Sequence, residues 1–114
     1  MNDNNPINME ELFEIMDDDS ELIKECFDEF IISAQGMLEK VKDAIDSKNA
    51  ESLQSCAHKM KGSLSYLAAG RAAGLAYDLE KMGSEGSLGN AVKIYTDLEM
   101  ECEKIRNVMA SFEP

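Results

Sequence analysis

Leu53-Gln54-Ser55-Cys56-Ala57-His58-Lys59-Met60-Lys61-Gly62-Ser63-Leu64-Ser65-Tyr66-Leu67 is the stretch on which the fold turns. Read as an α-helix at about 100° per residue, it places Leu53, Ala57, Met60, Leu64 and Leu67 on one face, an apolar stripe suited to a core. His58, the one histidine of the chain, projects roughly 140° away from that stripe. Lys61 and Ser65 follow it at three and seven residues and Gln54 precedes it by four, so all three share its side. Gly62 stands one turn on and has no side chain to crowd the ring. The chain has 23 acidic residues, yet none lies between Glu51 and Asp78, a window that holds Lys59, Lys61 and Arg71. The pattern is a solvent-facing histidine with a bare patch and cations beside it.

Two readings of that histidine compete. A surface histidine on an amphipathic helix can be inert. Against that stand the gap in negative charge, which suits an incoming anion, and Lys61, placed to pair with it. Gly62 also costs a helix about 1 kcal/mol relative to alanine, so its presence asks for a packing or access reason. An imidazole titrates ordinarily near 6.5, so much of it is uncharged and nucleophilic at neutral pH. The residues describe a nucleophile able to attack a phosphoryl group, with room for the donor and a cation for the transferred oxygens.

The run Ala57-His58-Lys59-Met60-Lys61-Gly62-Ser63-Leu64-Ser65-Tyr66-Leu67 resembles the signature of histidine-containing phosphotransfer (HPt) domains of multistep two-component signalling. That signature is a small residue, His-x-x-Lys-Gly, further small residues and a hydrophobic position near the helix end. Leu12-Phe13 with Asp18-Asp19-Ser20-Glu21-Leu22 resembles the family's lead into its first long helix, and Leu79-Glu80 its Leu-Glu in the helix after the motif. The likeness covers the chain from about Ile7 to Phe112. Two positions depart from it: many members have a small polar residue where Tyr66 stands and a glycine where Ala68 stands, so the end of this helix is expected to differ.

The resemblance implies a phosphorelay intermediate with His58 as phosphoacceptor, Lys61 stabilising the phosphoryl oxygens and Gly62 giving access. Its implied partners are receiver domains of response regulators or hybrid sensor kinases, which bring the aspartyl phosphate and the Mg²⁺. No cofactor is expected on this chain itself. Gln54, Lys59, Ser65 and Arg71 are candidate phosphate or partner contacts, and Leu12, Phe13 and Ile32 candidate apolar docking residues.

The rest of the chain supplies the helices to pack against this one. Residues 1–6 read as a disordered polar lead and 7–114 as a single helical domain. Ile7 to Met16 is expected to form a short helix with Leu12, Phe13 and Met16 inward. Asp18 with Glu21 fits a capping box better than a metal site, opening a helix to about Ser47. Its core face is Ile23, Phe27, Phe30, Ile31, Ala34, Leu38, Val41 and Ile45, with Ile32 pointing away. Asn49 reads as the N-cap of the histidine helix, which is expected to end near Ala68-Ala69-Gly70 with Gly70 as a left-handed cap or a turn. A helix over Arg71 to Met82 buries Leu75 and Leu79, with Gly74 either a site of close approach to a neighbour or neutral. Gly83-Ser84-Glu85-Gly86-Ser87 reads as a loop. The last helix, about Leu88 to Phe112, repeats Leu88, Ala91, Tyr95, Leu98, Cys102, Ile105, Met109 and Phe112 by threes and fours. Short connections between four such stripes predict an all-α, up-down-up-down four-helix bundle with a short additional N-terminal helix.

Composition narrows the function further. Two prolines, seven glycines and 6% aromatics among 114 residues favour helices. A net charge of −12 argues against nucleic acid or an anionic membrane as partner. No apolar run reaches the roughly 20 residues of a membrane span, and a cytoplasmic monomer is expected. Cys26, Cys56 and Cys102 are odd in number, without metal-ligand spacing, and read as reduced core residues. One histidine cannot build a carboxylate-bridged metal bundle, which needs Glu-x-x-His pairs on two helices. A sensor-kinase dimerisation hairpin commonly has an acid after its histidine, where this chain has Lys59. No phosphate-binding glycine loop is present, so the chain is read as a phosphoryl carrier without ATP-dependent kinase activity of its own. The competing class is a non-catalytic helical adaptor with an incidental surface histidine.

Overall fold

Local capping chemistry sets the helix boundaries. In the computed structural model, which describes residues 5–114, the helices are α1 Met9–Ile15, α2 Ser20–Asp46, α3 Ala50–Tyr66, α4 Gly70–Glu85 and α5 Ala91–Ala110. Side-chain oxygens of Asn8, Asp19 and Asn49 accept from the backbone N–H of Glu11, Leu22 and Ser52 at 3.0–3.1 Å, each satisfying one orphan donor of the first turn. The α2 cap is therefore Asp19. The expected cap, Asp18, is one residue early and lies in the left-handed region with φ 59°.

The first four helices stop in the same way. A left-handed residue follows each, and the next N–H reaches back to a carbonyl of the last turn, in the Schellman pattern. Asp18 N donates to Phe13 O, Asn49 N to Ala44 O, Ala69 N to Leu64 O and Ser87 N to Met82 O, at 2.7–3.0 Å. Only the last of the four uses glycine, Gly86 at φ 69°; Asp17, Lys48 and Ala68 occupy the same conformation with a Cβ. Gly70 is consequently the first residue of α4 and not the left-handed stop of α3. α4 also runs on through Gly83 to Glu85, where a loop was expected.

α2 packs on α3, α3 on α4, α4 on α5, and α5 back on α2, closing a four-helix ring that α1 joins through α2. The expected up-down-up-down bundle with a short additional N-terminal helix is what the chain forms. Its long axis, 41 Å, is that of α2, whose 27 residues span about 40 Å at 1.5 Å per residue. The core faces predicted from periodicity meet in the middle: Ile23, Phe27, Phe30, Ala34, Leu38, Val41, Leu53, Ala57, Met60, Leu64, Leu79, Leu98, Cys102, Ile105 and Met109 are all buried. Burying each large apolar side chain contributes about 1.5–3 kcal/mol. Ile31, Leu75, Leu88 and Phe112 are half-buried at the edge of this core.

α1 is fastened by its backbone and its apolar face. Asn8 N donates to Ala68 O at 2.9 Å, Ile7, Leu12 and Met16 are buried, and Phe13 meets Phe112 at 6.5 Å between ring centroids. Phe112 also packs edge-on against Phe27 at 5.2 Å, tying the end of the chain to α2. Of the expected lead, residues 1–4 lie outside the described residues. Asn5 is described, and its Oδ1 accepts from Ile7 N at 2.9 Å. The cysteines are free; Cys102 is buried, while Cys26 and Cys56 are only half-buried. Burial pushes the Cys102 thiol up to about 11, which keeps it protonated and inert. No helix of the described residues is long and apolar enough to cross a membrane.

Candidate functional site

α3 and α4 run antiparallel side by side as the most extensive helix pair of the bundle. Their contacts pair Gln54 with Gly83, His58 with Glu80 and Lys61 with Tyr77. One index climbs by about a turn as the other descends by about a turn, so a single helix–helix seam carries the site.

His58 leaves 65% of its side chain exposed, on the face opposite Ala57 and Met60. Its Nδ1 lies 2.9 Å from Glu80 Oε2. Lys61 Nζ lies 2.8 Å from the other oxygen, Oε1, and 5.2 Å from the centroid of the Tyr77 ring, within cation–π range. The lysine's approach is off the hydrogen-bond axis, and Oε1 has no aligned donor among the described residues. At 2.8 Å the attraction of opposite charges holds the pair without needing that alignment. Lys61 holds the Glu80 carboxyl below the usual carboxylate range; burial opposes this, and the bond with His58 adds to it. An ionised carboxylate only accepts hydrogen bonds, so Nδ1 is the protonated nitrogen. In the neutral ring the lone pair is then on Nε2.

The charge picture drawn from the sequence changes here. The acid-free window along the chain does not survive folding, because α4 returns Glu80 to the ring and to Lys61. Lys61 is thus an ion-paired, half-buried cation and not a free one. Glu80 was legible only as part of a Leu-Glu pair in the following helix; nothing local to the histidine pointed to it as the ring's partner.

The other candidates sort by position. Gln54, Lys59, Gly62 and Ser65 are exposed on α3, and a Cβ built at Gly62 meets nothing within 4 Å. Among the described residues Lys59 has no ion pair. Arg71 does not join the site: it pairs through Nε with Glu101 Oε1 of α5 at 3.4 Å. It stands nine residues from Glu80, about 13 Å along α4. Leu12 is fully buried and so is not a docking residue; Phe13 is half-buried beside Phe112. Ile32 is 82% exposed.

The sequence profile of the Hpt domain matches residues 25–108, a span that takes in α3, α4, His58 and Glu80. The chain belongs to the Hpt domain family. The solved structure of histidine-containing phosphotransfer protein B (HptB) from Pseudomonas aeruginosa PAO1 is similar to it, with a TM-score of 0.77 and 26% sequence identity over 88% of this chain and 84% of that one. No curated protein sequence matches this chain. As an Hpt domain the chain is a histidine phosphotransfer relay intermediate, and Hpt domains are phosphotransfer carriers rather than kinases. Among the described residues no group of three or more His, Cys, Asp or Glu side chains could hold a metal ion. Glu80 stands alone by the ring, with a lysine on its second oxygen.

Proposed function

We propose that His58 takes a phosphoryl group from the aspartyl phosphate of one receiver domain and hands it to the aspartate of another. The observation that carries this reading is the His58 ring itself, two-thirds exposed, with Nδ1 held by Glu80 so that Nε2 presents its lone pair. The N–P bond forms at Nε2 as the P–O bond to the donor aspartate breaks, and the electron pair leaves on that carboxylate. Nδ1 keeps its proton, so the phosphorylated ring is positively charged, and Glu80 at 2.9 Å stabilises it as a buried acid stabilises an imidazolium. Lys61 has three donors and offers one to a phosphoryl oxygen while balancing Glu80. Transfer onward is the same step reversed.

Gly62 leaves the approach open, and Gln54, Lys59, Ser65 and Ile32 are exposed residues that a receiver can meet. The Mg²⁺ that neutralises the aspartyl phosphate belongs to the receiver. The chain makes no phosphohistidine from ATP and acts as a cytoplasmic monomer over 7–114; its net charge of −12 supports neither nucleic acid nor anionic membrane as a partner. Purified receiver domains of the same organism, labelled with ³²P at their aspartate, test the reading one by one. The wild type takes the label from its cognate receivers, and the label survives alkali and leaves in acid. His58→Gln takes none, with an unchanged circular dichroism melt. Label retained on His58→Gln would move the acceptor to another residue, and a wild type that takes no label from any receiver would leave a helical adaptor as the function.

A further inference from the structure

We propose that Gly83 is a positioning residue for this site: its missing side chain lets α4 lie against the backbone of α3 at the distance across which Glu80 grips His58 and Lys61. The inference rests on the proposed role of His58, but its geometry is independent of that role. A Cβ built at Gly83 would stand 2.5 Å from Gln54 N, 2.6 Å from Ala50 O and 2.9 Å from Gln54 Cα. All three are backbone atoms of α3, so no side-chain rotation can relieve the clash; a helix has to move. Every other glycine of the described residues has open space where its Cβ would be. Gly83 is not in the left-handed region. Its backbone conformation therefore does not require glycine, and the close approach does.

The contact sits one turn from the chemistry on both helices. Gly83 follows Glu80 by three residues on α4, and Gln54 precedes His58 by four on α3. Restoring ordinary contact of 3.4 Å or more at Gln54 N means a retreat of at least 0.9 Å from 2.5 Å. An α-helix is stiff over one turn, so the retreat reaches Glu80 nearly undiminished. The bonds at risk are the His58 Nδ1–Glu80 and Lys61–Glu80 contacts, at 2.9 and 2.8 Å. A displacement of that size takes them past hydrogen-bonding reach.

Long-range ¹H–¹⁵N NMR of the imidazole reports which nitrogen carries the proton, a readout that loosened packing alone does not move. In the wild type the proton is on Nδ1. In Gly83→Ala, folded by circular dichroism, we expect a mixture of both tautomers and phosphotransfer from a labelled receiver slowed by the same factor as in Glu80→Gln. Adding Glu80→Gln to Gly83→Ala then changes neither further. Gly74→Ala, on the same helix but facing open space, keeps the wild-type tautomer. A Gly83→Ala protein that melts lower but retains the wild-type tautomer and rate overturns the proposal and leaves Gly83 a packing residue only. If the variant does not fold in buffer, the spectra are taken in trimethylamine N-oxide, which favours the compact state; failure to fold there too also overturns it. A wild-type ring protonated on Nδ1 that accepts phosphate from no receiver sinks the proposed function and not the role of Gly83.

Discussion

His58 and Glu80 show how one hydrogen bond assigns two roles. The carboxylate takes the Nδ1 proton's attention, and the reactive lone pair is left on the nitrogen facing away. A charge-assisted hydrogen bond contributes about 1.5–3 kcal/mol, so Glu80→Gln should slow phosphotransfer by roughly ten- to a hundredfold. Single-turnover transfer from a labelled receiver measures this, and an unchanged rate would remove Glu80 from the mechanism. The same residue predicts a pH dependence. Its carboxyl is held below the usual range in the folded chain, chiefly by Lys61. The stability it contributes is therefore present above the unfolded carboxylate value of about 4.3 and lost as pH falls through the folded value. Denaturant melts of wild type and Glu80→Gln should differ most at the upper end of that window and converge in acid.

Helix ends in this chain are set by backbone geometry more than by residue type. Asp17, Lys48 and Ala68 fill positions where glycine is favoured, because each Schellman closure needs a left-handed residue at that point whatever its side chain. A Cβ in that conformation costs roughly 1–2 kcal/mol, part of which glycine returns through its freer unfolded chain. Lys48 is exposed and makes no side-chain bond among the described residues, so Lys48→Gly should raise stability by roughly 0.5–1 kcal/mol. Urea denaturation checks it, and a loss of stability would contradict the left-handed assignment. These substitutions for glycine also explain why the α3 stop was misplaced. Looking for a glycine finds Gly70, whereas the chain turns at Ala68. At the far end of α4 the bias runs the other way: glycine-rich Gly83–Ser87 looks like a loop, yet its first residues continue α4, with Gly83 packed against the α3 backbone.

The whole bundle carries a net charge of −12 on a molecule of 14.2 Å radius of gyration. Like charges at that density repel one another and favour the expanded chain. Salt shortens the screening length from about 30 Å at 0.01 M to about 8 Å at 0.15 M. The melting temperature at pH 7 should therefore rise between those two concentrations; a fall would mean that attractive pairs dominate. Among the described residues those pairs are few and mostly exposed, such as Lys24–Asp28, Lys42–Asp46 and Lys93–Asp97 along single helices, each a minor contribution. What closes the molecule is the apolar ring α2–α3–α4–α5, with Phe112 latched between Phe13 and Phe27.

The amino-acid sequence by itself determined the helices, their inward faces and the outward histidine, because each depends on residues three or four apart and the helix repeats at 3.6. It also carried the family signature around His58. Only the tertiary structure decided that Glu80 anchors the ring and engages Lys61, that Arg71 turns to Glu101, and that Gly83 and not Gly74 is the glycine of close approach. Each of these depends on which turn of one helix lies beside which turn of another. That register comes from packing across the bundle, and no periodicity within a single segment encodes it.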